Sequence, residues 1–258
     1  MRIENSFIPV EGVGERTERR LWEAGVTRWE AFDPSVVGPT TADRIESFVS
    51  TARARLDDGD AAFFRETFPS GCHWRCYENF REGAYFLDIE TTGLDRHRDD
   101  VTVVGLHRPG ETTTLVAGRD LTVRRLGRHL DDADLLVTFN GKRFDVPFLE
   151  SAFDVSVDVP HVDLMYACRE LGLTGGLKQV ERGVGIDRDR PDLSGEDAVR
   201  LWREYERGDD AALETLVSYN RDDTENLRTL MELVANRLDD TVFDAPDAGS
   251  GAPGADGD

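Results

Sequence analysis

The sequence predicts an α/β fold in which a mixed sheet is flanked by helices and preceded by a small α-helical segment. One observation is a set of short apolar and β-branched runs between residues 84 and 139, which is the pattern of buried strands. Another is the helical spacing of apolar side chains over most of residues 163–238. Because 39% of the 258 residues are hydrophobic, the chain can bury a sizeable core.

Residues 1–58 form the predicted helical segment. Glu15 to Glu23 and Thr41 to about Leu56 read as helices, and a Gly-Val-Gly turn precedes the first of them. This turn resembles that of a helix-hairpin-helix element, which presents backbone amides to a phosphate. Gly12, Gly14 and Arg16 are therefore candidate nucleic-acid contacts, and a helical packing module without a ligand is the alternative.

A connector is predicted over residues 59–82, after the Asp-Asp-Gly-Asp run that marks a boundary. It is apolar and aromatic without clear periodicity, and we expect it to pack on the following domain. Cys72, His73 and Cys76 have the residue types of a metal clip. Structural zinc needs a second pair of ligands, which the nearby sequence lacks, so these three are expected to be packing residues.

The main domain is predicted over residues 83–240. A strand beginning at Ala84 is followed by a hairpin of Val101 to His107 and Thr112 to Ala117, then by a helix over Leu121 to Leu130 and a strand over Leu135 to Phe139. This order resembles the ribonuclease-H-like fold. The remaining elements are predicted helices: one starting near Phe144, then Asp163 to Leu171, Leu177 to Arg182, Ala198 to Glu206 and Ala211 to Leu238. Residues 241–258 are rich in Gly, Pro, Ala and Asp and are predicted to be a disordered acidic tail.

Acidic side chains stand at the ends of several of these elements. Asp88 and Glu90 occupy alternate positions of one strand and so share a face, which suggests a metal site, although a solvated edge is the ordinary reading. Asp145 lies in the first turn of the helix after the fourth strand, where it is either a site residue or a simple cap. Tyr219 and Asp223 are four residues apart and therefore lie on one face of the last helix.

Three stretches together resemble the exonuclease motifs of the DEDD superfamily: DIETTGL from Asp88, NGKRFDVPFL from Asn140 and YNRDD from Tyr219. The run over about residues 83–238 is most similar to the YprB-type ribonuclease-H-like domain. The resemblance implies a 3′-to-5′ exonuclease of the tyrosine branch. It implies metal ligands at Asp88, Glu90, Asp145 and Asp223, with Tyr219 in the position of the general base.

The implied chemistry is hydrolysis of phosphodiester bonds with two Mg²⁺ or Mn²⁺ ions, because hard carboxylate ligands suit these cations. Asp222 is a less favoured alternative ligand, and Asp163 is expected to cap a helix or to support a ligand. Phe139, Phe144 and Phe148 are expected in the core. Two other functions stay open: a nucleic-acid-binding module without turnover, and a structure-selective endonuclease.

The chain is strongly acidic, with 52 acidic against 31 basic residues and a formal net charge of −21. Two of the basic residues, Lys142 and Lys178, are lysine and the others are arginine, a composition that resembles proteins of salt-loving archaea. Such a surface repels nucleic acid overall, so contacts must be local. Arg96, Lys142 and Arg143 are the candidates beside the motifs, and single-stranded ends are the expected partner.

The chain is expected to be cytoplasmic and to have no membrane partner. The N-terminus lacks the layout of a signal peptide, and no stretch approaches the roughly 18 apolar residues of a spanning helix. Three cysteines form no paired framework. The sequence gives no prediction of oligomeric state.

Overall fold

The computed structural model describes residues 1–243, which form five strands and a series of helices. The strands are β1 (Ala84–Thr91), β2 (Val101–Arg108), β3 (Glu111–Val116), β4 (Leu135–Thr138) and β5 (His161–Asp163). The α-helices are α1 (Glu15–Glu23), α2 (Pro39–Asp57), α3 (Ala61–Thr67), α4 (Tyr77–Phe80), α5 (Val123–Asp131), α6 (Asp145–Phe153), α7 (Leu164–Glu170), α8 (Leu177–Val184), α9 (Gly195–Glu206) and α10 (Asp210–Val242). Short 3₁₀ helices cover Ile3–Asn5, Trp29–Ala31, Pro34–Val36, Ser70–Cys76 and Arg81–Gly83.

The five strands form one mixed sheet in the order β3-β2-β1-β4-β5. Strands β1, β2 and β3 are antiparallel neighbours, as the hairpin pattern predicts, while β4 and β5 run parallel to β1 and to each other. The carboxyl ends of β1, β4 and β5 therefore lie at the same edge, where open sheets place their sites. The predicted α/β class with a mixed sheet, flanking helices and an N-terminal helical segment is confirmed.

Side-chain alternation along β1 assigns its two faces to two different cores. Tyr85, Leu87 and Ile89 pack with α5 and α6. Ala84 and Phe86 belong instead to the core that includes the second half of α10. Since Asp88 and Glu90 continue the series of Ala84 and Phe86, they lie on the α10 side of the sheet.

The N-terminal segment shares this second core with the main domain. Phe7, Leu21 and Ile45 are fully buried in the same apolar cluster as Phe86 and Met231. A buried ion pair also crosses the predicted boundary, because Arg75 of the connector donates to Glu18 at 2.7 Å. The predicted boundary after residue 58 therefore separates elements that pack together.

The structure differs from the sequence prediction in two places that matter for the site. The connector is largely helical, since it contains α3, the 3₁₀ helix Ser70–Cys76 and α4. In addition, β5 was not predicted, and Asp163, expected as the first residue of a helix, ends β5 and caps α7. Helix α10 also continues past Leu238 to Val242, and the predicted tail beyond residue 243 lies outside the described residues.

None of the helices within residues 1–243 is both long and apolar enough to cross a bilayer.

Candidate active site

A cavity of about 640 Å³ opens at the carboxyl ends of β1 and β4 and is closed on one side by α10. Its walls come from the loop after β1, the turn after β4, the start of α9 and the middle of α10. The motif side chains Asp88, Glu90, Asp145, Tyr219 and Asp223 all line it. Residues far apart in the chain are thus brought to one site, and we refer to its four acids, Asp88, Glu90, Asp145 and Asp223, as the carboxylate cluster.

Three of these acids are close enough to share a cation. Asp88, Glu90 and Asp223 each offer a carboxylate oxygen, and the three oxygens lie within 4.8 Å of one another. The register between β1 and β2 shifts by one residue between Glu90 and Thr91, so the regular ladder ends directly after the second acid. The neighbouring Asp222, considered as an alternative ligand, is not in this group.

Asp145 reaches the cluster through a sharp turn between β4 and α6. Asn140 has a left-handed φ of 67°, and a side chain at Gly141 would collide with Thr138 because its Cβ would lie 2.3 Å from Oγ1. The turn starts α6 at Asp145, whose Oδ1 accepts a hydrogen bond from the backbone N–H of Ile89 at 3.2 Å. Asp145 is therefore tied to the strand that carries Asp88 and Glu90.

Asp163 holds this turn in place from β5. Its carboxylate accepts hydrogen bonds from the backbone N–H of Asn140 at 2.7 Å, of Lys142 at 3.1 Å and of Met165 at 3.1 Å. It thus caps α7, as predicted, and at the same time fixes the turn before Asp145.

Asn220, which the sequence did not single out although it lies inside the YNRDD motif, orients Asp88. Its side chain is fully buried, and Nδ2 donates to Asp88 Oδ2 at 2.9 Å and to the Asp88 carbonyl at 3.3 Å. Helix α10 comes this close because the residue facing Asp88 on β2 is Gly105. A Cβ there would lie 2.2 Å from Asn220 Oδ1 and 2.7 Å from Thr224 Cγ2.

Two positively charged side chains, Arg188 and Lys178, lie beside the Tyr219 ring. The guanidinium of Arg188, from the loop between α8 and α9, donates hydrogen bonds to Asp223 and to the fully buried Glu181. The ammonium of Lys178 lies 4.8 Å from the centroid of the Tyr219 ring. The three exonuclease motifs contain neither residue: Arg188 lies in the loop after α8 and Lys178 in the first turn of α8, and both meet Tyr219 only where these segments pack near α10.

The carboxylate cluster has strongly raised pKa values, chiefly because burial disfavours the charged form. Burial and then the neighbouring acids raise the pKa values of Asp88 and Glu90 well above the ordinary range. Burial raises the pKa of Asp145 to about 7 and that of Asp223 to about 6, the latter in spite of the opposing effect of Arg188.

Tyr219 has a raised pKa as well, first from burial and then from the charges of Asp223, Glu90 and Asp88. A phenol in these surroundings keeps its proton at neutral pH. It can therefore orient a water molecule by a hydrogen bond, but it does not serve as a base as long as it is buried beside these charged carboxylates.

The three basic residues predicted to contact nucleic acid near the site do not all face the same way. Arg96 and Arg143 are exposed in the loop after β1 and in the turn before Asp145. Lys142, from that same turn, points elsewhere: its Nζ donates to the Ser70 carbonyl at 3.2 Å, and the residue lines a second cavity of about 420 Å³.

The N-terminal candidates are not among the residues that line this cavity. Gly12 has a left-handed φ of 85°, and Gly14 is the residue before α1. Both glycines and Arg16 are exposed. The structure thus leaves them accessible, at a place separate from the carboxylate cluster.

The predicted packing residues are partly placed as expected. His73 is buried and accepts a hydrogen bond from the backbone N–H of His161 at 3.1 Å, and Cys76 is fully buried, so both support the core. Phe148 is also in the core, while Phe139 and Phe144 are partly buried, pack against the two cores and line the cavity as well. They do so because they flank the turn that opens it.

Comparison with known proteins gives one clear family match and several distant likenesses. A model of the RNase_H superfamily matches residues 85–235. The family B DNA polymerase of Pyrobaculum calidifontis is similar at 22% identity and a TM-score of 0.49, over 62% of this chain and 25% of the polymerase. A structure described as the apo form of a nuclease has 22% identity and a TM-score of 0.41, over 67% of this chain and 91% of its own.

A third structure is Brucella melitensis NrnC with bound Mg²⁺, with 20% identity and a TM-score of 0.34, over 68% of this chain and 94% of NrnC. No curated protein matches the chain at a significant level. Likenesses this distant say nothing about activity. The family match, by contrast, covers more than half of the chain and contains all five motif side chains. The chain therefore belongs to the RNase_H superfamily.

Proposed function

We propose that this protein is a metal-dependent nuclease, a 3′-to-5′ exonuclease that hydrolyses phosphodiester bonds at single-stranded ends of DNA or RNA. The observation that carries the proposal is the meeting of Asp88, Glu90 and Asp223, with oxygens within 4.8 Å of one another, in a cavity that Asp145 and Tyr219 also line. Three buried acids, Glu90, Asp145 and Asp223, and the half-buried Asp88 in one open cavity have no evident structural use, because burying charges that repel one another costs stability.

The residues present fit a site for divalent cations. Glu90 Oε1 is buried without a hydrogen-bond partner among the described residues, and an oxygen of this kind calls for a ligand. The donors are carboxylates with no Cys or His among them, which suits Mg²⁺ or Mn²⁺. Asp88, Glu90, Asp145 and Asp223 are the proposed ligands, for two such ions.

Divalent cations bound there would supply a more acidic water and would offset the charge that develops on the phosphate and the leaving oxygen. Neighbouring residues of the chain fix the orientation of the proposed ligands. Asn220 fixes the rotamer of Asp88, and the N–H of Ile89 fixes that of Asp145. Tyr219, which stays protonated, would orient the attacking water.

The nucleic acid would be held by a few local contacts. Arg96 and Arg143 are exposed on the two loops that carry cavity residues, so they are the proposed phosphate contacts at the site. Phe139 and Phe144 line the same cavity and offer aromatic surface to a base. Gly12, Gly14 and Arg16 remain proposed as a second contact on the N-terminal segment, and Lys142 would act only where the substrate extends toward the second cavity.

The test is cleavage of 5′-labelled single-stranded DNA and RNA by the full chain with Mn²⁺ in concentrated KCl, beside Asp88→Ala. A ladder of shortened products that Asp88→Ala abolishes is the expected result. The matched control is Asp154→Asn, which removes a carboxylate from an exposed position after α6. A single internal cut would identify an endonuclease, binding without cleavage would identify a binding module, and cleavage retained by Asp88→Ala would reject the proposed site.

A further inference from the structure

Arg188 makes an unusual contact for a residue beside a proposed metal site, because its guanidinium is hydrogen-bonded to a carboxylate that is proposed to bind the metal. It hydrogen-bonds Asp223, one of the three acids whose oxygens lie within 4.8 Å of one another. The Arg188 side chain is 5% exposed, and Asp223 is 7% exposed. A charge-assisted hydrogen bond between groups buried to this degree is strong and little screened by salt.

Glu181 on α8 anchors the arginine from the other side. Its carboxylate is fully buried and is bonded by the same guanidinium. A buried glutamate of this kind needs a permanent counter-charge, and Arg188 supplies it. The arginine therefore has one partner that it must keep, Glu181, and one that it can give up.

The pairing with Asp223 resolves a conflict within the carboxylate cluster. Asp88, Glu90 and Asp223 repel one another in the absence of a cation, and the guanidinium offsets part of that repulsion. A divalent cation that uses Asp223 would offset the same repulsion, so the two compete for one carboxylate. Arg188 Nη1 is buried without a hydrogen-bond partner in the described part of the chain, so its present position leaves one of its donors unsatisfied.

We propose that Arg188 is an exchangeable counter-ion of Asp223: its guanidinium occupies this carboxylate in the metal-free protein and leaves it when a divalent cation binds, so that the arginine sets the metal concentration that the site requires. The inference rests on the proposed function, because it concerns the metal site of that function. It goes further by giving a role to a loop that lies outside the three motifs.

The test is calorimetric titration of the full chain with Mn²⁺ in concentrated KCl, which needs no turnover. Arg188→Gln removes the competitor but leaves Glu181 buried without a counter-charge, which can prevent folding. The double variant Arg188→Gln/Glu181→Gln removes both charges of the pair and is the main test protein. We expect it to bind Mn²⁺ roughly tenfold more tightly than the wild type or better, since a hydrogen bond between charged groups is worth at least that factor.

The matched control is Lys178→Gln. It removes one positive charge beside Tyr219, but the Lys178 ammonium is buried and hydrogen-bonds none of the acids of the described chain. We expect Lys178→Gln to change the Mn²⁺ affinity much less than the double variant does. The double variant leaves the net charge unchanged, whereas Lys178→Gln makes it more negative by one. An equal gain in both would therefore show that the release of Asp223 is not what raises the Mn²⁺ affinity, and would overturn the inference.

Unchanged or weaker binding by the double variant would also overturn it, because Arg188 would then orient Asp223 for the metal rather than compete for it. Such a result leaves the proposed function intact. Absence of Mn²⁺ binding by the wild type and all variants would overturn both. If the double variant binds Mn²⁺ more tightly than the wild type but neither protein cleaves labelled strands, the result would count against the nuclease activity while supporting the role of Arg188.

Discussion

The carboxylate cluster should make the metal-free protein less stable as the pH rises, and Asp145→Asn should remove part of this effect. Asp145 is 4% exposed, and burial raises its pKa to about 7 from an ordinary value of 3.8. Asparagine has almost the same shape, and its Oδ1 can still accept the hydrogen bond from Ile89 N–H. The substitution therefore removes the charge while it preserves the packing.

The sign follows from which state holds the proton. Below about pH 4 the Asp145 carboxyl is protonated in both the folded and the unfolded chain, so it contributes nothing to pH dependence. Between pH 4 and about 7 the unfolded chain has lost this proton while the folded protein keeps it, so the free energy of unfolding falls as the pH rises. Above about pH 7 both states are ionised and the loss stays constant.

The size of the effect follows from the same two pKa values. The free energy of unfolding should fall by about 1.4 kcal/mol per pH unit across this window, and by roughly 4 kcal/mol in all. Relative to wild type, Asp145→Asn should therefore gain roughly 3 kcal/mol between pH 5 and pH 8.

Urea unfolding in the presence of a chelator, followed by tryptophan fluorescence at pH 5 and pH 8, measures this gain. Asp154→Asn, which changes an exposed carboxylate at the end of α6, is the control and should follow the wild type. A constant difference between Asp145→Asn and wild type across the pH range would refute the reasoning, because it would mean that burial does not hold the proton on Asp145.

Further predictions concern residues that position the site. Gly105→Ala should lower the free energy of unfolding by about 1–3 kcal/mol in urea, because the new methyl collides with α10, whereas Gly127→Ala in α5, which has open space at its Cβ, should raise it by about 0.5–1 kcal/mol. Tyr219→Phe should keep the Mn²⁺ affinity and reduce turnover roughly 10²-fold, and unchanged turnover would exclude a role for the phenol. Asp163→Asn should cost about 1–3 kcal/mol of stability and reduce turnover as well, since one amide oxygen cannot accept all three backbone N–H groups that fix the turn before Asp145. A stable Asp163→Asn with full activity would contradict that account.

Local patterns were sufficient to predict the elements that carry the motif residues. The alternation around Asp88 and Glu90 gives strand β1, and the helical spacing of apolar residues gives α10 with Tyr219 and Asp223 on one face. In both cases the pattern that predicts the element is contained in a short continuous stretch of the sequence. Asp145 is similar, because a short buried strand followed by Asn-Gly predicts a turn and a helix start.

Features that depend on contacts between distant segments were missed. Strand β5 has three residues, His161 to Asp163, and is a strand because it pairs with β4, which no local pattern reveals. Lys142 was expected beside the nucleic acid, but its ammonium donates to the carbonyl of Ser70, which is 72 residues away in the sequence. Arg188 lies in a loop, and nothing near it in the sequence points to Glu181 or Asp223.

The geometry of the site also depends on Gly105, a residue that has no side chain to bind metal or substrate. Asp223 can approach Asp88 and Glu90 only if α10 lies close against the sheet, and Asn220 can bond Asp88 only at that distance. Gly105, on β2, permits this approach because any side chain there would occupy the space of the Asn220 amide. The separation between β1 and α10, and with it the spacing of the proposed metal ligands, is therefore set by a glycine on the neighbouring strand rather than by the ligands themselves.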